Sequence, residues 1–392
     1  MFENYDIYQR ERLTLHCVIS LQSPLSHIGE VQGNVSNLKT AKLLDLEGNP
    51  RPCFVYSGNA LRNGILRRRG TAAALDSLGL EVNPDVHHTL FAGGRIDGST
   101  ANDMDLDKRI RQLMPWLSVL GTAKPAGVFG AKNAQMVHGR LAVGSAYLVC
   151  YESAELVYRE FPGILSPDVL PRLQEFLEFK DRLTSNPFEP PTGQAVDAYR
   201  QAKADHLPYL RKALKTWTEY LTIDQTTRRD STHDPVLRKY LPGGRELTEG
   251  QMSLLGEAKP KKGKAKEDGG KEKSDQMIAS DRLIMAGSKL YSRWDLHTTT
   301  VETGWIVDTL LQFAQSPYIG GKANRGNGLV HLDFWFQRGD EKGHFLSVAT
   351  GQQQLSQPAQ DAHQAYRDYL SVYQEFLSEA QSSDAIRGLL NG

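Results

Sequence analysis

Cysteine is scarce: three residues in 392, none in a CxxC pair. Cys17, Cys53 and Cys150 are odd in number and far apart, which excludes a disulfide framework or a cysteine zinc site and fits a reducing compartment. Long apolar runs are missing too, and the first residues (MFENYDIYQRER) are polar, unlike a signal peptide, so a cytoplasmic chain that touches no membrane is expected. Charge of one sign is not in excess, with 46 cations against 46 anions. A uniformly basic coat for a polyanion is thereby excluded, and any phosphate site must be a local groove balanced by acid elsewhere. No GxxxxGK[ST] occurs, and the glycines of residues 320–328 (GGKANRGNG) are not spaced as GxGxxG and precede a strand instead of following one. His87 and His88 are adjacent, point to different sides and lack a third partner, so they read as a surface loop. Neither a metal nor a cofactor is expected.

What is present is enough apolar residue, 40% of the chain, for one large domain with insertions or for two domains. The stretch Arg51 to Gly70, RPCFVYSGNALRNGILRRRG, organises the rest. An apolar run (Phe54, Val55, Tyr56) meets Ser57 and Gly58, and a helical pattern starts at once. Ser57 suits an N-cap, because its hydroxyl can accept from the first free backbone N–H groups. Leu61, Ile65 and Leu66 form an apolar side, and Arg62, Arg67, Arg68 and Arg69 supply cations. A strand entering a helix N-terminus, with arginines just inside, suits phosphate. The plain alternative is a capped amphipathic helix with a solvated arginine face.

Residues 12–22 alternate as a half-buried strand, with Leu13, Leu15, Cys17, Ile19 and Leu21 on one face and Val18 the only exception. A hairpin is expected from 38–46 and 51–56, and the opening helix from Gly58 to Leu78, ending near Gly79. Residues 80–103 and 121–139 read as loop excursions around a helix at 104–114, and 140–150 as a strand. Helical stretches near 166–183 and 194–221 lead into TIDQTTRRDSTHDP, an exposed hairpin or loop. From Glu257 to Asp275 the only apolar residues are two alanines, so a flexible linker is expected. Then come a strand within 283–297, a helix from Val301 to about Ala314, a strand at 328–337 facing Val330, Leu332, Phe334 and Phe336 inward, a strand near 344–349 and a helix at 359–381. Without the excursions the order is βαββαβ, the α+β, ferredoxin-like (RRM-like) arrangement of RNA-recognition domains. The segments divide as 1–79 and 277–350 for the two halves of the core, 80–139 for a finger-like excursion, 140–152 for a core strand, 153–276 for helices, hairpin and linker, and 351–392 for a closing helix.

Two loops carry the residue types for a polyanion, Ser57–Arg69 and Gly320–Gly328, where backbone donors lie beside Lys322 and Arg325. Singly, each is also an ordinary turn with solvent-exposed cations. Trp335 falls on the strand face opposite Val330 and Phe334, where it can stack on a base.

Four landmarks then follow in order: PLSHIG after the first strand, SGNALRNGILRRR, VFGAKN before the second core strand, and GGKANRGNG before the last. In this the chain resembles the RAMP superfamily (repeat-associated mysterious proteins). It is most similar to the backbone subunit that coats the guide RNA in class 1 CRISPR effector complexes, in its type IV form. The resemblance spans roughly 12–337. It implies a cytoplasmic antiviral ribonucleoprotein, in which copies of the subunit form a helical filament along the guide (crRNA) and present it to a complementary target. Other effector subunits and a helicase are the further partners. It implies RNA contacts from Ser26, His27, Gly58, Asn59, Arg62, Asn63, Arg67, Arg68, Lys132, Asn133, Lys322, Asn324 and Arg325. It also implies a thumb hairpin carrying Arg228 and Arg229. Target-cleaving relatives hold an aspartate in the loop before the first helix. The matching stretch here, residues 34–42, has no acid, so a non-cleaving scaffold is expected. The alternative is a RAMP endoribonuclease acting on target or precursor RNA through Asp45 or His27.

The linker reading is directly testable. Deleting Lys259 to Lys273 is expected to leave the melting temperature within a degree or two, because the tract has almost no apolar surface to bury. A calorimetric scan showing a large drop would contradict it.

Overall fold

Alternating apolar residues along the first strand seat it at the centre of a sheet. In the computed structural model, which describes residues 6–94, 104–124, 128, 135–184, 191–228 and 277–378, this main sheet has nine strands. In chain order they are β1 (Glu11–Leu21), β2 (Thr40–Leu44), β3 (Pro50–Tyr56), β4 (Leu141–Val143), β5 (Ala146–Leu148), β6 (Lys289–Thr298), β7 (Val330–Arg338), β8 (Glu341–Ala349) and β9 (Gln352–Leu355). Their spatial order is β9-β8-β7-β1-β6-β5-β3-β2, with β4 also paired to β6. β1 lies antiparallel between β6 and β7, with Leu15 opposite both Trp294 and Phe336. The chain is thus α+β.

One face of the sheet is closed by helices whose apolar residues match those of β1. Leu15, Cys17, Ile19 and Leu21 share a core with Leu61, Ile65 and Leu66 of the first helix and with Ile306, Leu310 and Phe313. The first helix is continuous but changes gauge: Gly58–Leu61 is α-helical, Arg62–Gly70 is π-helical and Thr71–Leu78 is α-helical again. Gly79, at φ 61°, ends it in the left-handed conformation. At Gly70 the helix meets Thr300–Phe313 so closely that a Cβ would collide with Thr309 and Trp305. Trp305 Nε1 donates to Gly70 O at 3.3 Å.

The N-terminus of Thr300–Phe313 is held by a buried ion pair. Glu302 accepts from the Thr299 N–H at 2.9 Å in a capping box, and its other oxygen accepts from Arg140 Nη1 at 2.7 Å. The closing helix, Gln357–Ser378, packs on the same element, with Ala362 against Gly304.

The opposite face of the sheet is covered as well. Val18, Leu46 and Tyr291 share a second core with Val157, Leu173, Phe176, Leu177, Leu210 and Leu214 from helices Ala154–Glu160, Leu170–Thr184 and Gly193–Leu214. This explains the one break in alternation: Val18 faces this second core. A strand with one wet face was expected; β1 is enclosed on both sides, and even His16 is buried.

Other expectations change in detail. Residues 80–103 were read as loop, yet Pro84–Ala92 is a helix, started by the Asn83 side chain accepting from the Val86 N–H at 2.8 Å. His87 and His88 therefore sit exposed on a helix, with His87 4.5 Å from the Phe91 ring. Pro115 does end a helix (Met104–Leu113) and begins another (Pro115–Leu120). Within 121–139, short strands Thr122–Lys124 and Gln135–Val137 pair with each other. Lys132, Asn133, Arg229 and the lysine-rich tract lie outside the described residues. A small second unit comprises, among the described residues, 31–37, 223–228 and 277–282. In it Ser280 pairs in parallel with Val35 and Asp281 with Ser36.

Glu302 and Arg140 have side chains only 0% and 7% exposed, so removing one strands the other charge in the core. Glu302→Ala, which also deletes the cap, is expected to cost about 3–5 kcal/mol in urea denaturation. A loss below about 1 kcal/mol would mean that the pair is bystander packing.

Candidate nucleic-acid interface

Beyond the end of β1 three of the four landmark segments are joined by hydrogen bonds. The chain leaves β1 into the turn Ser23–His27, whose backbone binds the glycine loop. Gly321 N–H donates to Ser26 O at 3.1 Å and Gly328 N–H to Pro24 O at 2.8 Å. Only glycine permits this approach, since Gly320 (φ +79°) and Gly328 (φ +84°) are left-handed and a Cβ on either would strike Ser26 O or Ile319 O. Gly320 N–H also donates to the Tyr56 hydroxyl at 2.8 Å, which ties the loop to the end of β3.

His27 completes the junction. Its Nε2 accepts from the Ser57 N–H at 3.2 Å, and its ring lies 4.3 Å from that of Tyr56. Burial, with Lys39 nearby, lowers its pKa from 6.5 to about 4. The imidazole is therefore neutral near pH 7 and offers no charge to a phosphate; it positions the helix start. Ser57 caps that helix as expected, accepting from the Ala60 N–H at 3.4 Å.

The structure separates the sequence-predicted site residues into two groups. Asn59, Asn63 and Arg68 on the first helix, and Asn324 and Arg325 in the glycine loop, are exposed. Lys322 is half-buried and holds a left-handed backbone (φ 67°), a conformation that costs a non-glycine residue energy. Arg62 is half-buried, and burial lowers its pKa.

Arg67, by contrast, is corrected from a phosphate ligand to a core strut. It is 4% exposed and donates to Leu90 O at 3.1 Å and Gly121 O at 2.8 Å. Burial and the neighbouring Arg62 hold its pKa down at about 10. It lies within the π segment, and nothing in the residue pattern distinguishes that segment from an α-helix. Arg69 is likewise engaged, donating to Ser316 O at 2.8 Å with its guanidinium 4.7 Å from the Phe313 ring. Gly58 is also corrected. It is buried, its N–H faces Ser145 Oγ at 3.4 Å, and a Cβ would strike Val143 O. Ser26 is 1% exposed. The side chain of Arg228 is outside the described residues.

Buried polar atoms without a partner concentrate here. Among the described residues eight such side-chain atoms occur, and three of them, Ser26 Oγ, Arg62 Nε and Asn327 Nδ2, belong to these segments. Asp45 is placed differently. Its Oδ1 accepts from the Glu47 and Asn49 N–H groups, both at 2.9 Å, and Arg51 Nε lies 3.5 Å from Oδ2. It closes the β2–β3 turn. Among the described residues no cluster of histidine, cysteine or carboxylate could hold a metal ion, and no helix is long and apolar enough to cross a membrane.

No protein-family model matches the chain, and no curated protein matches it. Among solved structures it is similar to a chain of a Type IV-B CRISPR complex, at 16% identity and a TM-score of 0.45, over 84% of this chain and 92% of that one. It is also similar to Csc2 of Thermofilum pendens, at 11% identity and a TM-score of 0.35, over 99% of this chain and 84% of that one.

The His27 bond gives the junction a pH dependence. The folded pKa, about 4, lies below the ordinary 6.5, so protonation favours the unfolded chain. The stabilisation is complete above about pH 6.5 and is lost as the pH falls towards about 4. His27→Gln is expected to flatten the fall in melting temperature between pH 7 and pH 4.5. An unchanged slope would exclude His27 as its source.

Proposed function

We propose that this chain is a guide-RNA backbone subunit of a class 1 CRISPR effector complex, of the type IV kind, working in the cytoplasm. The observation that carries the reading is the junction beyond β1. There the first-helix start, the Ser26–His27 turn and the glycine loop are hydrogen-bonded together, with exposed amides and cations and three orphaned polar atoms. Arg62, Arg68, Lys322 and Arg325 would contact phosphate oxygens through charge-assisted hydrogen bonds, helped by Asn59, Asn63 and Asn324. A single strand bound through its backbone is read without regard to sequence, which suits a guide whose bases must stay free for a target.

The core on this reading is a ferredoxin-like βαββαβ unit, with the excursions as finger and thumb. The support is the order β7-β1-β6-β5, which is fourth-first-third-second along the chain, with helices after the first and third of these strands. Copies of the chain would follow one another along the RNA by a heterologous contact that does not close into a ring, giving an open helix. Other effector subunits and a helicase would complete the particle, and a complementary strand would pair with the exposed guide. The subunit binds RNA without cutting it: the Asp45 carboxylate is committed to its turn, and the His27 ring nitrogen to Ser57.

The test is RNA co-purification and salt-dependent binding by the wild type and by the Arg68→Glu, Lys322→Glu, Arg325→Glu triple variant. The wild type is expected to carry short RNA, and the variant to lose it at an unchanged melting temperature. If the three are instead neutralised to glutamine, the slope of log K against log salt should fall by about 2, at roughly 0.7 per phosphate contact for single strands. RNA retained by the charge-reversed protein would refute the assignment. Incubation of the guide-loaded protein with complementary RNA and magnesium should leave the RNA intact; cleavage abolished by Asp45→Ala would favour the endoribonuclease.

A further inference from the structure

The outer face of β7 and β8 carries a second constellation, on strand residues outside the junction beyond β1. Along β7 the side chains of Leu332, Phe334 and Phe336 enter the core, and those of His331, Asp333, Trp335 and Gln337 emerge on the other side. On β8 the register shifts: Phe334 pairs with Leu346, but Trp335 pairs with His344, so Phe345 is an extra residue. The bulge has a specific consequence. His344 and Ser347 are three apart and in a regular strand would point to opposite faces. With Phe345 bulged, both stand on the outer face, His344 beside Trp335 and Ser347 beside Asp333.

These residues hold each other in fixed roles. Ser347 Oγ lies within hydrogen-bonding distance of Asp333 Oδ1 and, at 2.7 Å, of His344 Nε2. A hydroxyl has one proton and a carboxylate can only accept, so Ser347 donates to Asp333 and receives from His344 Nε2–H. In the neutral ring Nδ1 is then a bare acceptor, and His344 stands edge-on to Trp335 with the ring centres 5.4 Å apart. Trp335 is 39% exposed, whereas Trp116, Trp294 and Trp305 are fully buried. Its buried side is braced by Phe161, 6.1 Å away. Two residues further along, about 7 Å, exposed Lys342 pairs with Gln337 and can meet a phosphate.

We infer that Trp335 and His344 form a nucleobase-stacking subsite for single-stranded RNA, in which the base lies on the indole and its exocyclic amino group donates to His344 Nδ1. This rests on the RNA-binding reading and adds a contact to a base where the first site contacts backbone. Stacking on an exposed aromatic tolerates every base, and the histidine acceptor favours amino-bearing ones. A protein partner fits less well. An interface centre is apolar, and among the described residues every other exposed large apolar residue lies on a different element from Trp335.

The experiment uses the full chain, freed of co-purifying RNA by nuclease and high salt. Oligoadenylate and oligouridylate binding is measured by fluorescence anisotropy, with ultraviolet crosslinking to locate the contact. Trp335→Ala is expected to weaken oligoadenylate binding by about 5- to 100-fold, Trp335→Tyr to restore most of it, and His344→Ala to abolish the preference for adenylate over uridylate. The crosslink is expected on the peptide containing Trp335. Unchanged affinity in Trp335→Ala would overturn the inference, and a shift in its self-association at unchanged RNA affinity would assign the patch to a protein contact instead. If the wild type binds neither RNA, the RNA-binding reading itself fails, an outcome distinct from the others.

Discussion

The turn at Ser26–His27 is the contact on which the candidate site depends. Its backbone receives the glycine loop, and its imidazole receives the first N–H of the helix cap. The loop can come this close because glycines 320 and 328 are left-handed, where a Cβ would strike Ser26 O or Ile319 O. Without that turn, three segments contributed by residues nearly 300 positions apart would keep only the Gly320–Tyr56 bond of those described at the junction. The neutral His27 suits this duty, because a charged ring could not accept the Ser57 N–H.

Around the junction the fold supplies rigidity from two cores. The helices at Gly58–Leu78 and Thr300–Phe313 close one face of the sheet, and their close approach at Gly70 fixes the slope of the first helix. The helical insertion closes the other face over Val18 and Tyr291. That second cover has a functional consequence. RNA-recognition domains expose aromatic residues on such a sheet face, but here Val18 and Tyr291 of the central strands are buried under the helical insertion, while Trp335 on the β7–β8 flank stays exposed. The junction beyond β1 and the Trp335–His344 flank thus lie on different parts of the sheet.

Buried charge marks the cost of this arrangement. Arg140, Glu302 and Arg67 are all largely removed from water: Arg140 donates to Glu302, Glu302 also accepts from the Thr299 N–H, and Arg67 donates to backbone carbonyls. Arg62, a neighbour of Arg67 on the same helix, is left with an orphaned Nε. The contrast between the two arginines separates structure from candidate function on one helix more sharply than their positions in RNGILRRR could.

Much of the fold was legible in the residues. The alternation of β1, the Ser57 cap, the stop at Gly79 and the inward row Val330, Leu332, Phe334 and Phe336 all follow from local spacing, and local spacing is what determines strands, caps and turns. The loops rich in glycine and cations were legible as well. Which cations face outward was not: Arg67 turns inward through a π segment whose hydrogen bonds reach one residue further than those of an α-helix, and residue identity does not encode that choice. The sealed second face, the role of His27 and the bulge that aligns His344 with Ser347 depend on partners far along the chain. By itself the sequence determined the elements, their order and the loops rich in glycine and cations. Tertiary structure alone decided which of those side chains are buried in the protein and which stay exposed, because burial and long-range hydrogen bonds exist only once the chain has closed on itself.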